Sequence, residues 1–135
     1  MFAVLAWSLL LCTPVWGARP DQTGPQREQY FRCQGEDYLD TITSGSPGKA
    51  LLQVNTKTVK VTGAFMFTDA EIPIASETDS EIKFDYIIAG TVLGDFGVFN
   101  KVNGHLRVTV NHGEPQKVTH RTWGEYECKS LNGGL

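Results

Sequence analysis

The fold is decided by the stretch GVFNKVNGHLRVTV, residues 97–110. Two alternating apolar segments flank Asn103-Gly104, the dipeptide that most strongly signals a short β-hairpin. A two-residue loop would pair Phe99 with Val108, whereas a three-residue loop with Gly104 in the left-handed conformation would pair Val98 with Val108. Both registers turn the same three side chains toward the core: Leu106, Val108 and Val110.

The residues around this hairpin continue the same pattern. Glu81 to Ile88 alternates, so that Ile82, Phe84 and Tyr86 share one face. No apolar helical period holds for three turns, and the remaining short segments recur at roughly ten-residue spacing. This predicts an all-β fold of about eight strands over residues 29–130, a small antiparallel meander or an eight-stranded barrel-like domain. The other predicted segments are 29–34, 51–54, 58–62, 65–67, 72–75, 117–120 and 125–129.

The beginning of the chain resembles an export signal. Residues 1–12 form an apolar run, which Thr13-Pro14 and the small residues Gly17 and Ala18 follow. This order predicts a signal peptide over 1–17 and a mature chain that starts at Ala18. One alternative is a retained membrane anchor, but a spanning helix needs about 20 apolar residues and this run is shorter. The other alternative is a lipid on Cys12, but the large residue Leu11 precedes it where lipid processing requires a small one. We therefore expect no transmembrane segment after cleavage, a flexible lead-in over 18–28 and a tail over 131–135.

Signal cleavage would leave two cysteines, Cys33 and Cys128. An even cysteine count in an exported chain points to one disulfide between the first and last strands, which would close the domain. Two buried free thiols are the alternative. A zinc site is disfavoured because neither cysteine has a neighbouring Cys or His ligand in sequence. The disulfide and the export signal together predict a periplasmic or secreted protein.

Charge and composition exclude some partners. The chain has 135 residues with 12 Lys and Arg against 15 Asp and Glu, and the basic residues are scattered. No basic stripe exists to follow a phosphate backbone, so we expect no nucleic-acid partner. The length suits one domain, and we expect a monomer.

No catalytic or metal constellation stands out, and we predict no cofactor and no enzyme activity. The three histidines are His105, His112 and His120. His105 and His112 would lie about 20 Å apart along one strand, too far to share an ion. His112 and His120 could approach across the last turn, but they have no third ligand.

Two binding hypotheses remain open. The first is a module that binds a protein or a cell-envelope component through a long polar loop, since such loops on a rigid scaffold often carry function. Its candidate contact residues are Thr43, Ser44, Gly45, Ser46 and Pro47. The second is a carrier that holds a small apolar ligand inside the sheet. Its candidate lining residues are Ile82, Phe84, Tyr86, Leu106 and Val108.

The hairpin and the ending Tyr126-Glu127-Cys128 resemble small exported bacterial β proteins of unknown function. The matching residues run from Phe99 to Val108 as FNKVNGHLRV. In outline the chain is also similar to the periplasmic inhibitors of C-type lysozyme, small eight-stranded barrels with a terminal disulfide. Those inhibitors use a Ser-Gly-x-x-Tyr loop, and Ser44 to Gly48 lacks the Tyr. The resemblance therefore implies fold and compartment and transfers no inhibitory residue.

Overall fold

The computed structural model describes residues 28–40 and 44–131. Within them the chain contains eight β-strands and no helix, which confirms the predicted all-β class. The predicted signal peptide (1–17), all of the lead-in but Glu28 and all of the tail but Leu131 lie outside the described residues. The strands are β1 (Gln29–Leu39), β2 (Ser46–Val54), β3 (Thr58–Thr62), β4 (Ile72–Glu77), β5 (Glu81–Ile87), β6 (Gly94–Asn100), β7 (His105–Glu114) and β8 (Lys117–Ser130).

The strands form one closed antiparallel sheet. Each strand pairs with the next along the chain, and β8 pairs with β1, so the eight strands form a closed barrel. The closing ladder is long, running from the pair Phe31–Ser130 to the pair Leu39–Thr122. Closure of a sheet removes the exposed edges at which strands of other chains could add.

The closed sheet has two ends, which differ in what they carry. Because neighbouring strands run in opposite directions, residue 28 and residue 131 lie at one end, here called the terminal end. The Leu131 N–H donates to the Tyr30 carbonyl at 2.7 Å there. The opposite end, here called the loop end, carries the β1–β2, β3–β4, β5–β6 and β7–β8 connections.

A disulfide ties the sheet together where it closes. Cys33 of β1 and Cys128 of β8 are directly paired residues of the closing ladder, and their sulfur atoms are bonded. Both side chains are buried. The predicted disulfide is therefore confirmed, and it joins positions 95 residues apart in sequence.

The core fills the inside of the closed sheet with alternate residues of each strand. Val59 and Val61 of β3 are buried while their neighbours are partly exposed. This is the period-two pattern of a strand with one buried face and one solvent-exposed face. Aromatic rings occupy much of the volume: Phe31 packs on Phe99 with ring centroids 4.9 Å apart, and Phe67 meets the edge of Phe84 at 6.4 Å.

Two glycines make room for the large rings. Phe84 pairs with Gly97 across the β5–β6 ladder, and a side chain at Gly97 would overlap the Phe84 ring. A side chain at Gly124 would likewise overlap the Tyr126 ring. In the first case the missing Cβ leaves room for a ring of the neighbouring strand, and in the second for a ring of the same strand.

The β6–β7 hairpin lies where it was predicted, but both predicted registers are wrong. Phe99 pairs with Leu106, which leaves a four-residue loop from Lys101 to Gly104. The side chain of Asn100 explains the longer loop, because its Oδ1 accepts the N–H groups of Val102 and Asn103 at 2.8 and 3.0 Å. Three inward side chains are nevertheless as predicted, and all three are buried: Leu106, Val108 and Val110.

Other strand limits also differ from the sequence prediction. Residues 65–67, predicted as a strand, form a turn in the β3–β4 connection, where Met66 has a φ of 58°. The strand β1 is longer than predicted because each residue from Glu36 to Leu39 gains a partner in β8, and β2 is longer because Ser46 to Ala50 pair with β1. The two segments predicted at 117–120 and 125–129 are one strand, β8, and β6 already begins at Gly94.

Candidate functional site

The predicted apolar lining residues belong to the core. Ile82, Phe84, Leu106 and Val108 are each at most 2% exposed and pack inside the closed sheet. Tyr86 is different: it is 55% exposed, so its assignment to the lining is wrong. The alternation of β5 continues to Tyr86, but the strand there has passed beyond the packed interior, and the ring meets solvent at the loop end.

The predicted contact loop is shorter than expected. Ser46 and Pro47 lie in β2, where they pair with Asp37 and Glu36, so their assignment to a loop is wrong. Proline is tolerated at this place because a strand start needs no ladder donor. Ser44 and Gly45 precede β2 as predicted, and Thr43 lies outside the described residues.

These residues border a groove at the loop end. Its volume is about 250 Å³. Three of the predicted contact residues line it, and Phe65 from the β3–β4 connection contributes an exposed ring. The lining residues are Asp37, Tyr38, Leu39, Ser44, Ser46, Pro47 and Phe65.

Exposed apolar side chains concentrate at the same end. Among the residues that the structure describes, ten large hydrophobic side chains are exposed, and seven of them lie at the loop end. The other three, Leu51, Val102 and Leu131, are distributed over the remaining surface. Exposed apolar side chains that concentrate in one region are typical of interaction surfaces, so this end is the candidate site. The seven are Leu39, Phe65, Met66, Tyr86, Ile87, Ile88 and Val92.

The β3–β4 connection that presents Phe65 and Met66 is fixed to the sheet. Phe67 is buried and packs against Phe84, and the Thr68 N–H donates to the Asp95 carboxylate at 2.8 Å. Burial of the Asp95 carboxyl raises its pKa, an effect that the hydrogen bond from Thr68 opposes. The exposed apolar side chains are therefore carried by a segment with one buried anchor and one hydrogen-bonded anchor.

Tyr126 joins the core to the polar side chains of the loop end. Its ring is buried, and its hydroxyl donates to the carboxylate of Asp37, which also lines the groove. Burial, and then the Asp37 carboxylate, raise the pKa of the Tyr126 hydroxyl. Tyr126 therefore holds Asp37 in place at the groove while remaining neutral.

A histidine pair lies at the β7–β8 side of this end. His112 and His120 are paired across the turn, and their rings stack with centroids 4.6 Å apart. The approach that the sequence suggested is therefore present. His112 Nε2 lies 3.0 Å from the hydroxyl of Thr122, which is buried. Within residues 28–40 and 44–131, no group of three or more His, Cys, Asp or Glu is placed to hold a metal ion.

We expect the His112 ring to titrate below its ordinary pKa of 6.5. Burial lowers the pKa first and His120 lowers it further, while Asp95 acts in the opposite sense. A depressed histidine pKa in the folded state gives stability that is complete above 6.5 and is lost as the pH falls through the folded value. An NMR titration of the ring signals measures this shift, and His120→Gln should move the pKa of His112 partly back toward 6.5. A wild-type ring that titrates at 6.5 or above would contradict the assignment.

Trp123 lies on the outer face of the sheet. Its ring stacks on Tyr38 with centroids 5.2 Å apart, and the Arg107 guanidinium lies 5.7 Å from its centroid. Arg107 also donates to Glu125 at 2.8 Å. Both neighbours contact the Trp123 ring, so it stiffens the outer surface of β8 beside the groove.

No protein-family model, curated protein or solved structure matches this chain. The resemblance to the inhibitors of C-type lysozyme stays a prediction. In the part of the chain that the structure describes, no helix has the length and apolar character needed to cross a membrane. The disulfide fits an oxidising compartment outside the cytoplasm.

Sequence reasoning found Ser44, Ser46 and Pro47 but missed the residues that make their surroundings apolar. Leu39 lies outside every predicted strand, and Phe65 lies in the segment 65–67 that is predicted as a strand. The signal that could have found Phe65 is the pair Thr62-Gly63 before it, since Gly63 has a φ of 91° and ends β3. A strand that ends on such a glycine places the following apolar residues in a connection rather than in a sheet.

Proposed function

We propose that this chain is a non-enzymatic binding module, periplasmic or secreted, that holds a protein partner at its loop end. The observation that carries the proposal is the concentration of seven exposed large hydrophobic side chains at that end. A protein partner is the favoured occupant because interface centres are apolar and aromatic with a polar rim. The groove beside Phe65 combines such an apolar wall with the polar groups of Asp37, Ser44 and Ser46.

The packed interior favours this proposal over the carrier hypothesis. Four of the five predicted lining residues pack against other core side chains at 2% exposure or less. An apolar ligand would therefore have to displace side chains that already fill the sheet. The loop end, by contrast, offers its apolar surface without rearrangement.

The test is recovery of a partner with matched surface variants. Phe65→Asp places a charge in the apolar wall of the groove, and we expect it to abolish recovery of a partner that the wild-type protein retains. Val102→Asp is the control, because Val102 is 76% exposed and lies in the β6–β7 connection at the terminal end. Point variants are preferable to deletion of residues 44–48, since Ser46 to Gly48 belong to β2.

Several results would count against the proposal. A partner retained by Phe65→Asp would place the contact elsewhere, and a partner lost equally with Val102→Asp would indicate nonspecific adsorption. Association with an envelope fraction after its proteins have been removed would replace the protein partner by an envelope component. We expect the purified chain alone to sediment as a monomer, and a dimer disrupted by Phe65→Asp would make a second copy the occupant.

A further inference from the structure

The outer face of β1 and β8 carries two cations that face each other. Arg32 and Lys129 are directly paired in the closing ladder, and both are exposed. Residues paired in this way have Cβ atoms about 4.5–5.5 Å apart on the same face of the sheet. Like charges at this spacing are destabilising unless an anion lies between them.

The nearest carboxylates are engaged with other donors. Glu127, two residue pairs away on the same face, has its carboxylate 3.1 Å from His105 Nδ1. Glu28 accepts the hydroxyl of Tyr30 at 2.6 Å. Among the ion pairs of residues 28–40 and 44–131, none includes Arg32 or Lys129. The two cations therefore face solvent outside any of these ion pairs.

A groove lies between them. It has a volume of about 430 Å³, within the usual range of small-ligand sites. Gln34 lies on its wall and is paired on its other side with Lys49, which lines a second groove of about 360 Å³. Gln34 is thus paired with Lys49 on one side and with Glu127 on the other, and the pair Arg32–Lys129 lies further along the same face. The three cations and one carboxylate leave this face with two net positive charges, on a chain whose net charge is −3. The residues that line the first groove are Arg32, Gln34, Glu127, Lys129, Ser130 and Leu131.

We propose that this groove binds the phosphate group of a phosphomonoester. A phosphomonoester carries about two negative charges at neutral pH, which balances the charges of Arg32, Lys49 and Lys129 less that of Glu127. The guanidinium of Arg32 can donate two parallel hydrogen bonds to a phosphate, and the Gln34 amide adds a neutral donor. A single carboxylate would leave one positive charge of this face uncompensated. The site is at a distance from the loop end and does not depend on the function proposed for that end.

The probes are glycerol phosphate and acetate, each titrated into the full-length protein and followed by amide NMR. We expect saturable shifts at Arg32, Gln34 and Lys129 with glycerol phosphate, and binding at least about tenfold weaker with acetate. Arg32→Gln and Lys129→Gln should each weaken binding by about tenfold, since each removes one charge-assisted contact. Lys117→Gln is the control, because it removes the same charge from the loop end of β8.

A second arm separates two sources of the same group. Vesicles of phosphatidylcholine with phosphatidic acid present a phosphomonoester at a lipid surface. Sedimentation with these vesicles that is lost in Arg32→Gln assigns the site to a lipid headgroup, whereas binding of glycerol phosphate without sedimentation assigns it to a soluble ligand. The proposal is overturned if no saturable shift occurs, if acetate binds equally well, or if Lys117→Gln weakens binding as much as Arg32→Gln.

Discussion

Removal of the disulfide in Cys33→Ala/Cys128→Ala is expected to lower the free energy of unfolding by about 4 to 5 kcal/mol. The bridge joins positions 95 residues apart, so its loss releases a long loop in the unfolded chain. In the chain-entropy account, the unfolded state gains the corresponding freedom while the folded sheet keeps its pairing. Small domains have about 5–15 kcal/mol of stability in total, so the variant should lie near the limit of folding. Urea unfolding followed by circular dichroism measures the difference.

Reduction of the wild-type protein provides the matched control. The reduced protein keeps both cysteine side chains in the core. Its free energy of unfolding should therefore fall by the chain-entropy contribution of the disulfide alone, whereas the double variant also loses a small amount of packing. Alanine is chosen because serine would bury two hydroxyl groups without partners. Equal unfolding midpoints for oxidised and reduced protein would contradict the expected effect.

Substitution of Gly35 should have the next largest effect on stability. A Cβ at this position would lie 2.7 Å from the Tyr126 Cα and closer still to the Glu125 carbonyl oxygen. Both obstacles are backbone atoms of β8, so no side-chain rotation can relieve them. Gly35→Ala therefore forces β1 away from β8 inside the closing ladder, and we expect a loss of about 3 kcal/mol or more. The same urea titration measures it.

Two controls separate this clash from ordinary effects of alanine. Gln34→Ala changes an exposed neighbour on the same strand and should change stability by about 0.5 kcal/mol or less. Gly90→Ala has nothing within 4 Å of its new Cβ, but its φ of 77° is left-handed, so about 1 kcal/mol of strain is expected. If Gly35→Ala were as stable as Gln34→Ala, the backbone of the closing ladder could move to accept the Cβ at little cost, and the expected loss would be wrong.

The pattern of alternation predicted the parts of the fold that local sequence controls. The β6–β7 hairpin and β5 lie where Asn103-Gly104 and the run from Glu81 place them. The disulfide followed from the cysteine count. The hairpin register did not follow, because it depends on a hydrogen-bonding choice of the Asn100 side chain that propensities do not weigh.

Tertiary pairing decided what local sequence left open. The stretch before Ala50 has the serine, glycine and proline content of a loop, but pairing with β1 extends β2 back to Ser46. Phe65 and Phe67 are two residues apart in sequence but differ in burial. Phe65 is exposed in the groove, whereas Phe67 is buried against Phe84. The candidate site unites side chains that are far apart in sequence. Composition and spacing carry no information on such encounters.

The closeness of Tyr30 and Leu131 at the terminal end determines how the protein can be attached without loss of its interaction surface. A fluorescent protein or a biosensor chip that is attached beside Tyr30 or beside Leu131 would leave Phe65 and its neighbours exposed to solution. Attachment at the opposite side, for example through a cysteine introduced in the β7–β8 turn, would press the apolar surface against the support. Orientation on a chip thus becomes a direct control for every binding measurement on this domain.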